Sequence, residues 1–218
     1  MEKRYNTEIR ELPVAAGLCL RAEEDGGEAR TIEGMAIVFG RESQPLYSDE
    51  EMEIRERISP EAVTRELLDS SDILCTLYHD DRRILARSRD GAGTLRYDVT
   101  AEGVRFRFDA ADTEDGRTAL ELVKRGEIDG CSFCYVINVA DPSAQTREVR
   151  TEGGRRIVTY TVNKIETIRD FTLTPRPAYR DTEVGTRLRD AERARDEDRD
   201  EALMEADLRL VESLIINH

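Results

Sequence analysis

Short apolar stretches separated by Gly, Asp and Pro turn signals run through the chain before residue 185. The most regular is "GTLRYDVTAEGVRFRFDA", in which apolar side chains recur at every second residue on both sides of a turn: Leu95, Tyr97 and Val99, then Val104, Phe106 and Phe108. This period of two predicts an antiparallel hairpin with one buried face. No apolar run approaches the roughly 20 residues of a membrane-spanning helix, so we expect no membrane contact.

Further segments complete a mixed pattern of strands and helices. "SPEAVTRELLDS" predicts a helix with Ser59 at the N-cap and Pro60 at the first helical position. "DTEDGRTALELVKRG" predicts a second helix, capped by Asp112 or Thr113 and stopped at Gly126. Strand patterns occupy residues 31–40, 51–58, 72–79 and 131–139, and "RRIVTYTVNKIETIRDFTLTP" adds one or two more. About seven strands, mainly antiparallel, with a few flanking helices indicate an α+β fold closed as a β-barrel or a curled sheet.

The composition changes near residue 185 and divides the chain into two predicted parts. Residues 1–185 contain the strand patterns and are expected to form one barrel-like domain, whereas residues 186–218 form an acidic helical tail. Seven acidic residues stand against three arginines between Asp190 and Glu201, and the apolar side chains of the tail cluster at its end, from Leu203 to Ile216. We expect a solvated helix or a frayed tail, although a charged stem with an apolar tip also suits a docking helix.

The overall charge and the cysteine pattern argue against several classes of protein. A net charge of −14 opposes non-specific binding of nucleic acid. Cys131 and Cys134 form a CxxC pattern, but there is no second pair and the chain has two histidines, so we expect no metal and no cofactor. The pattern opens a strand, whereas a thioredoxin-like motif precedes a helix. All four cysteines are therefore expected to be buried, reduced thiols in a cytosolic protein without a secretory signal.

Ser132 and His79 are a candidate pair for acyl-transfer chemistry, although a serine in a strand is common and a lone histidine at a strand end is more often structural. A serine needs a base, and His79 is the internal histidine, since the other is the last residue, His218. The base in turn needs an acceptor on its second ring nitrogen. Spacing does not choose among the candidate acceptors, which are Asp80, Asp81, Glu166 and Asp170. The chain lacks a GxSxG elbow and a GxxxxGK[ST] phosphate loop, while a cysteine-based or redox reaction of the CxxC pair stays open as an alternative.

Five ordered segments resemble one known family. They are "GMAIVFG", "MEIRERISPEAV", "LYHDDRRILARS", "LRYDVTAEGVRFRFDAADTEDGRTALELVKRGEIDGCSFCYVI" and "IRDFTLTPRPAY". In this order they resemble the opening strand, a strand–Pro–helix stretch, the histidine segment, the central block ending at a serine, and the closing block of the HK97-type prohead (capsid maturation) serine proteases of tailed phages. That family is related to the herpesvirus assemblin fold. The resemblance covers roughly residues 31–180 and leaves the tail outside.

The resemblance implies roles for individual residues. It implies Ser132 as the nucleophile, His79 as the base and Asp170 as the third member of the site, with Glu166 in reserve. The chain departs from the family pattern at three positions: Tyr78 replaces the usual Asn, Ala86 replaces a Gly, and Cys134 replaces the Gly commonly found two residues after the serine. The last change puts a side chain where the backbone is normally bare, and we expect it to narrow the site or alter substrate preference.

The resemblance also implies a biological setting. Proteases of this family act inside the procapsid, in the cytoplasm of the bacterial host, where they cut the scaffolding part of the capsid protein and themselves. The expected partners are the major capsid protein or its scaffolding domain, and a second copy in a weak homodimer, because assemblin relatives dimerise to become active. The tail would be a targeting segment or a piece lost on self-cleavage. The main alternative is a catalytically inactive, scaffold-like capsid-binding protein of the same fold.

Overall fold

The computed structural model describes residues 7–14, 17–21, 30–175, 188–202 and 205. In these ranges the chain forms fourteen strands, which are β1 (Thr7–Val14), β2 (Cys19–Arg21), β3 (Thr31–Val38), β4 (Tyr47–Ser48), β5 (Met52–Ile58), β6 (Asp72–Leu77), β7 (Asp80–Arg89), β8 (Ala92–Gly93), β9 (Arg96–Val99), β10 (Gly103–Asp109), β11 (Gly130–Asn138), β12 (Gln145–Glu152), β13 (Arg155–Val162) and β14 (Thr167–Thr174). The helical elements are a 3-10 turn (Pro60–Ala62), α1 (Arg65–Ser70), α2 (Glu114–Lys124) and α3 (188–202).

The strands form three sheets. Sheet A has the order β1-β11-β14-β6-β7-β8, sheet B the order β2-β3-β10-β9, and sheet C the order β12-β13-β5-β4. Most neighbours are antiparallel, but β14 runs parallel to β6 and β13 parallel to β5. The described sheets do not close, because closure would require edge strands such as β1 and β8 to pair and they lie at opposite ends of sheet A. The predicted barrel is therefore wrong, whereas the mainly antiparallel strands with flanking helices agree with the structure.

The predicted hairpin is β9–β10, and its apolar face joins sheet B to sheet A. Phe106 and Phe108 of β10 are buried, while Arg105 and Arg107 between and beside them are exposed. The ring of Phe106 lies 6.0 Å from that of Phe171 in β14, centroid to centroid. Each such buried ring contributes about 2–3 kcal/mol. Since Phe171 faces this core, the next residues on either side of it in β14 point to the opposite face of sheet A.

The predicted start agrees with the structure for one helix and disagrees for the other. α2 is confirmed: Thr113 Oγ1 accepts a hydrogen bond from Gly116 N at 3.1 Å, and the chain turns away at Gly126 with φ +69°. The start of the first helix is wrong, because Ser59 makes no side-chain cap bond and Pro60 opens only a 3-10 turn. The backbone becomes extended after that turn, so α1 starts later, with Thr64 as its N-cap.

Part of the acidic tail is a helix, as predicted, but it is not a solvated one. Residues 188–202 are helical, and within them Glu192 is fully buried and Leu188 is nearly so. Glu192 and Asp196 bind arginines of sheet C, which explains the burial. The apolar segment from Leu203 to Ile216 lies outside the described residues apart from Glu205.

Candidate active site

His79 lies in a two-residue turn between two paired strands of sheet A. Leu77 at the end of β6 is the register partner of Asp80 at the start of β7, so Tyr78 and His79 are the two turn residues. Their φ angles are 60° and 56°, as a tight hairpin turn of this kind requires. Positive φ suits Asn or Gly better than Tyr, which gives a physical reason for the Asn that the resemblance leads one to expect at position 78.

The imidazole of His79 contacts the carboxylate of Asp170 in β14. His79 Nδ1 lies 3.0 Å from Asp170 Oδ1 and 3.2 Å from Oδ2. The Asp170 side chain is 10% exposed and that of His79 is 23% exposed, so little water competes for the contact. A carboxylate that accepts from Nδ1–H selects the tautomer whose Nε2 carries the lone pair. In this tautomer Nε2 is the ring atom that can accept a proton.

A buried threonine fixes the turn that carries the histidine. Thr172 Oγ1 accepts a hydrogen bond from the backbone N of His79 at 2.9 Å. The Thr172 hydroxyl also contacts the hydroxyl of Thr76, its register partner in β6, and both residues are fully buried. Neither threonine was singled out in the sequence, where the available signal was the Ser/Thr that follows the acidic residue in the closing block.

Ser132 is adjacent to this arrangement in the neighbouring strand. It lies in β11 opposite Thr172 of β14 on one side and Pro13 of β1 on the other. Directly paired antiparallel residues have Cα atoms about 4.5–5.5 Å apart. Two residues further along β11, Cys134 is opposite Asp170, so both β11 residues share a face of sheet A with the carboxylate. Ser132 is 5% exposed, so its hydroxyl is largely covered in this conformation.

A cavity of about 430 Å³ opens beside the histidine–carboxylate pair. Its lining includes His79, Asp170 and Cys134, together with charged and apolar side chains of β7 and β14. Ser132 is not part of this lining. The side chain at position 134, where the resemblance leads one to expect glycine, therefore narrows the space next to the imidazole.

The other acidic candidates are placed differently. Glu166 is exposed just before β14, and its backbone N donates to the carbonyl of Val136 at 2.8 Å. Asp80 binds the Arg82 guanidinium at 2.9 Å, and this hydrogen bond lowers the pKa of its carboxyl. Asp81 lines the cavity with His79. Among these four acidic residues, the contact with the imidazole is made by Asp170.

The thiols of the CxxC pattern lie on opposite faces of β11, because they are three residues apart in a strand. Cys131 faces the core, where burial, and then the charge of Asp170, raises the pKa of its thiol. Burial likewise raises the pKa of the Cys75 thiol well above its usual range. A thiol that stays protonated is a poor nucleophile. Cys19 is exposed, so the expectation that all four cysteines are buried is wrong for this residue.

No group of three or more His, Cys, Asp or Glu side chains within the described ranges is arranged to hold a metal ion. In the same part of the chain, no helix is long and apolar enough to cross a membrane.

Comparison with known proteins identifies the family. Residues 17–197 match the family model described as caudovirus prohead serine protease. The chain belongs to this family. A solved structure with a similar course is the capsid assembly protease gp21 of bacteriophage T4, with a TM-score of 0.43 and 10% identity, covering 75% of this chain and 98% of that one. No curated protein matches the chain. Membership of the prohead serine protease family agrees with the resemblance found in the sequence.

Proposed function

We propose that this member of the prohead serine protease family is an active endopeptidase that cuts the scaffolding segments of the capsid protein, and itself, inside the procapsid. Ser132 is the nucleophile, His79 the general base and Asp170 the residue that orients the base. The observation that carries the proposal is the contact between His79 Nδ1 and the Asp170 carboxylate, on the face of sheet A to which Ser132 belongs.

The reaction is acyl transfer. His79 Nε2 accepts the proton as Ser132 Oγ attacks the peptide carbonyl, and the imidazolium then donates it to the leaving amine. Asp170 stabilises the imidazolium, since its carboxylate already contacts Nδ1 at 3.0 Å. A water activated by the same imidazole releases the acyl group and regenerates the serine.

The burial of Ser132 fits an enzyme that matures during assembly. With the residue 5% exposed, a movement of the surrounding chain would widen the access of a peptide to the hydroxyl. Binding to capsid protein, or to a second copy in the expected weak homodimer, would supply the free energy for that movement. The procapsid raises the local concentration of both partners, which favours such association by mass action.

Intact mass over time tests the proposal. Concentrated wild-type protein, alone and with the capsid protein of the same phage, is compared with the Ser132→Ala variant. We expect defined fragments with wild type and none with the variant. Ser70→Ala is the matched control, because Ser70 is an exposed serine at the end of α1. This variant should produce the same fragments as wild type.

Two other outcomes would replace the proposal. If wild type and Ser132→Ala both stay whole with capsid protein present, the chain is the inactive, scaffold-like capsid-binding member of the family. If both are cut alike, the nucleophile lies elsewhere, and Cys134 is the next residue to replace because it lines the cavity with His79.

A further inference from the structure

One face of sheet C carries two arginines and a tyrosine that together bind carboxylates of α3. Arg147 in β12 is the register partner of Tyr160 in β13, and Arg156 lies four residues before Tyr160 on the same face of β13. We call Arg147, Arg156 and Tyr160 the carboxylate-binding face. Arg147 Nε donates to Glu192 Oε1 at 2.7 Å, and its second nitrogen donates to Oε2. The contact is therefore a two-pronged arginine–carboxylate pair.

The same face binds a second carboxylate one helical turn further along α3. Arg156 donates to Asp196 Oδ2 at 2.5 Å, and Tyr160 Oη donates to Glu192 Oε1 at 2.5 Å. Residues four apart lie on the same side of a helix, so Glu192 and Asp196 both point to the sheet. Despite its burial, Glu192 has a pKa below its usual range, chiefly because of the hydrogen bond from Arg147. The carboxylate is thus bound as an anion.

We propose that the carboxylate-binding face is a docking site for an acidic helix of a protein partner, one that presents two carboxylates a single turn apart. α3 fills the site within the chain and must leave before the partner binds. The charge complementarity is local, because the chain as a whole carries a net charge of −14 and this face is basic beneath the helix. The contacts that hold Glu192 and Asp196 on this face are hydrogen bonds and ion pairs, and a second helix with the same carboxylate spacing presents the same charged groups to it. The proposal does not depend on the proposed protease activity.

A fluorescent peptide of residues 188–202 provides the probe, with anisotropy as the readout. The receptor is the full chain carrying Glu192→Gln and Asp196→Asn, which weakens α3 as an intramolecular competitor. We expect it to bind the peptide at least tenfold more tightly than wild type does. The control receptor carries Asp198→Asn and Glu201→Gln, the same charge change at exposed positions of α3, and should behave like wild type.

Specificity is tested on both sides of the contact. Arg147→Ala with Arg156→Ala in the weakened receptor should reduce peptide affinity at least tenfold, whereas Arg107→Ala, at an exposed position of sheet B, should not. A peptide with both carboxylates converted to amides should bind at least tenfold more weakly. Affinity should also fall as salt rises from about 50 mM to about 500 mM.

Equal peptide affinity of wild type and the weakened receptor would overturn the proposal, as would an affinity that ignores the arginine substitutions. If the weakened receptor shows a collapsed thermal transition, Asp196→Asn alone is used, since it keeps the buried Glu192 contacts. That single variant should bind the peptide more tightly than wild type does. Binding indistinguishable from wild type would again contradict the proposal.

Discussion

Replacing Thr172 by valine tests whether a buried hydroxyl holds the histidine turn. Valine keeps the shape of the side chain but removes the partner of two groups, the part-buried backbone N–H of His79 at 2.9 Å and the buried hydroxyl of Thr76. Each buried polar group left unsatisfied costs about 1–3 kcal/mol. We therefore expect Thr172→Val to lower the free energy of unfolding by about 2–4 kcal/mol. Thr172→Ser keeps the hydroxyl and should lose less than half as much.

The Thr76–Thr172 pair makes the reasoning sharper, because the two single changes share one contact. Thr76→Val leaves the hydrogen bond between His79 N and Thr172 intact, so it should cost less than Thr172→Val. In the double variant neither hydroxyl of the pair is left over, and only the His79 amide lacks its acceptor. The sum of the single variants includes two hydroxyls that lack each other as partner and the double variant includes neither, so the double variant should cost about 2–4 kcal/mol less than that sum.

Urea unfolding followed by circular dichroism gives the four free energies, and hydrogen exchange of the His79 amide reports the turn directly. Exchange of this amide should speed up at least tenfold in Thr172→Val and stay close to wild type in Thr76→Val. Strict additivity of the two changes would show that the Thr76 and Thr172 hydroxyls do not interact. An unchanged exchange rate of the His79 amide in Thr172→Val would show that the Thr172 hydroxyl does not hold the turn.

Three further changes address the site and the sheets. Asp170→Asn removes the carboxylate that contacts His79 Nδ1 and, if the proposed mechanism holds, should reduce cleavage of capsid protein by about 10⁴-fold while the protein stays folded; cleavage at the wild-type rate would exclude Asp170 from the reaction. Tyr78→Asn suits φ 60° better and should raise the free energy of unfolding by about 0.5–1 kcal/mol, measured by thermal unfolding; a lower midpoint would mean that the lost contact with Arg83 outweighs the relieved strain. The Arg150 hydrogen bond lowers the pKa of Glu42 to about 2. This folded-state pKa lies below the usual value of about 4.3, so the stabilisation that Glu42 provides is present above that value and is lost as pH falls. Glu42→Gln should therefore make the fall in the free energy of unfolding between about pH 5 and about pH 2 smaller by about 1–3 kcal/mol. Parallel pH profiles would contradict the assignment.

The sequence predicted the elements better than their assembly. The alternation around Phe106 and Phe108 fixed the β9–β10 hairpin because turn and period are both local signals. The choice between a closed barrel and a curled sheet stayed open because the parallel pairing of β14 with β6 joins segments far apart in the chain, and no local pattern encodes which strands meet. β4 and β8 span two residues each, which is too short to produce a period.

The residues of the candidate site could be predicted from the sequence, but the contacts between them could not. His79 and Ser132 followed from the scarcity of histidine and from the resemblance. The contact between Asp170 and His79 depends on the turn after β6 and on the position of β14, which only the folded chain sets. Thr172 escaped notice because threonine is common in strands for reasons of packing. Glu192 looked like one more charge of a solvated helix, since burial of a carboxylate depends on arginines remote in sequence.

Because β14 lies in the middle of sheet A, its position determines how late in synthesis the candidate site can form. β14 is the last strand of the described fold, yet it lies between β11, which carries Ser132, and β6, which leads to His79. A nascent chain that has not yet released this strand from the ribosome has neither Asp170 nor Thr172 in place, and its two earlier strands have no common neighbour. The chain therefore acquires its histidine–carboxylate pair only after β14 has left the ribosome.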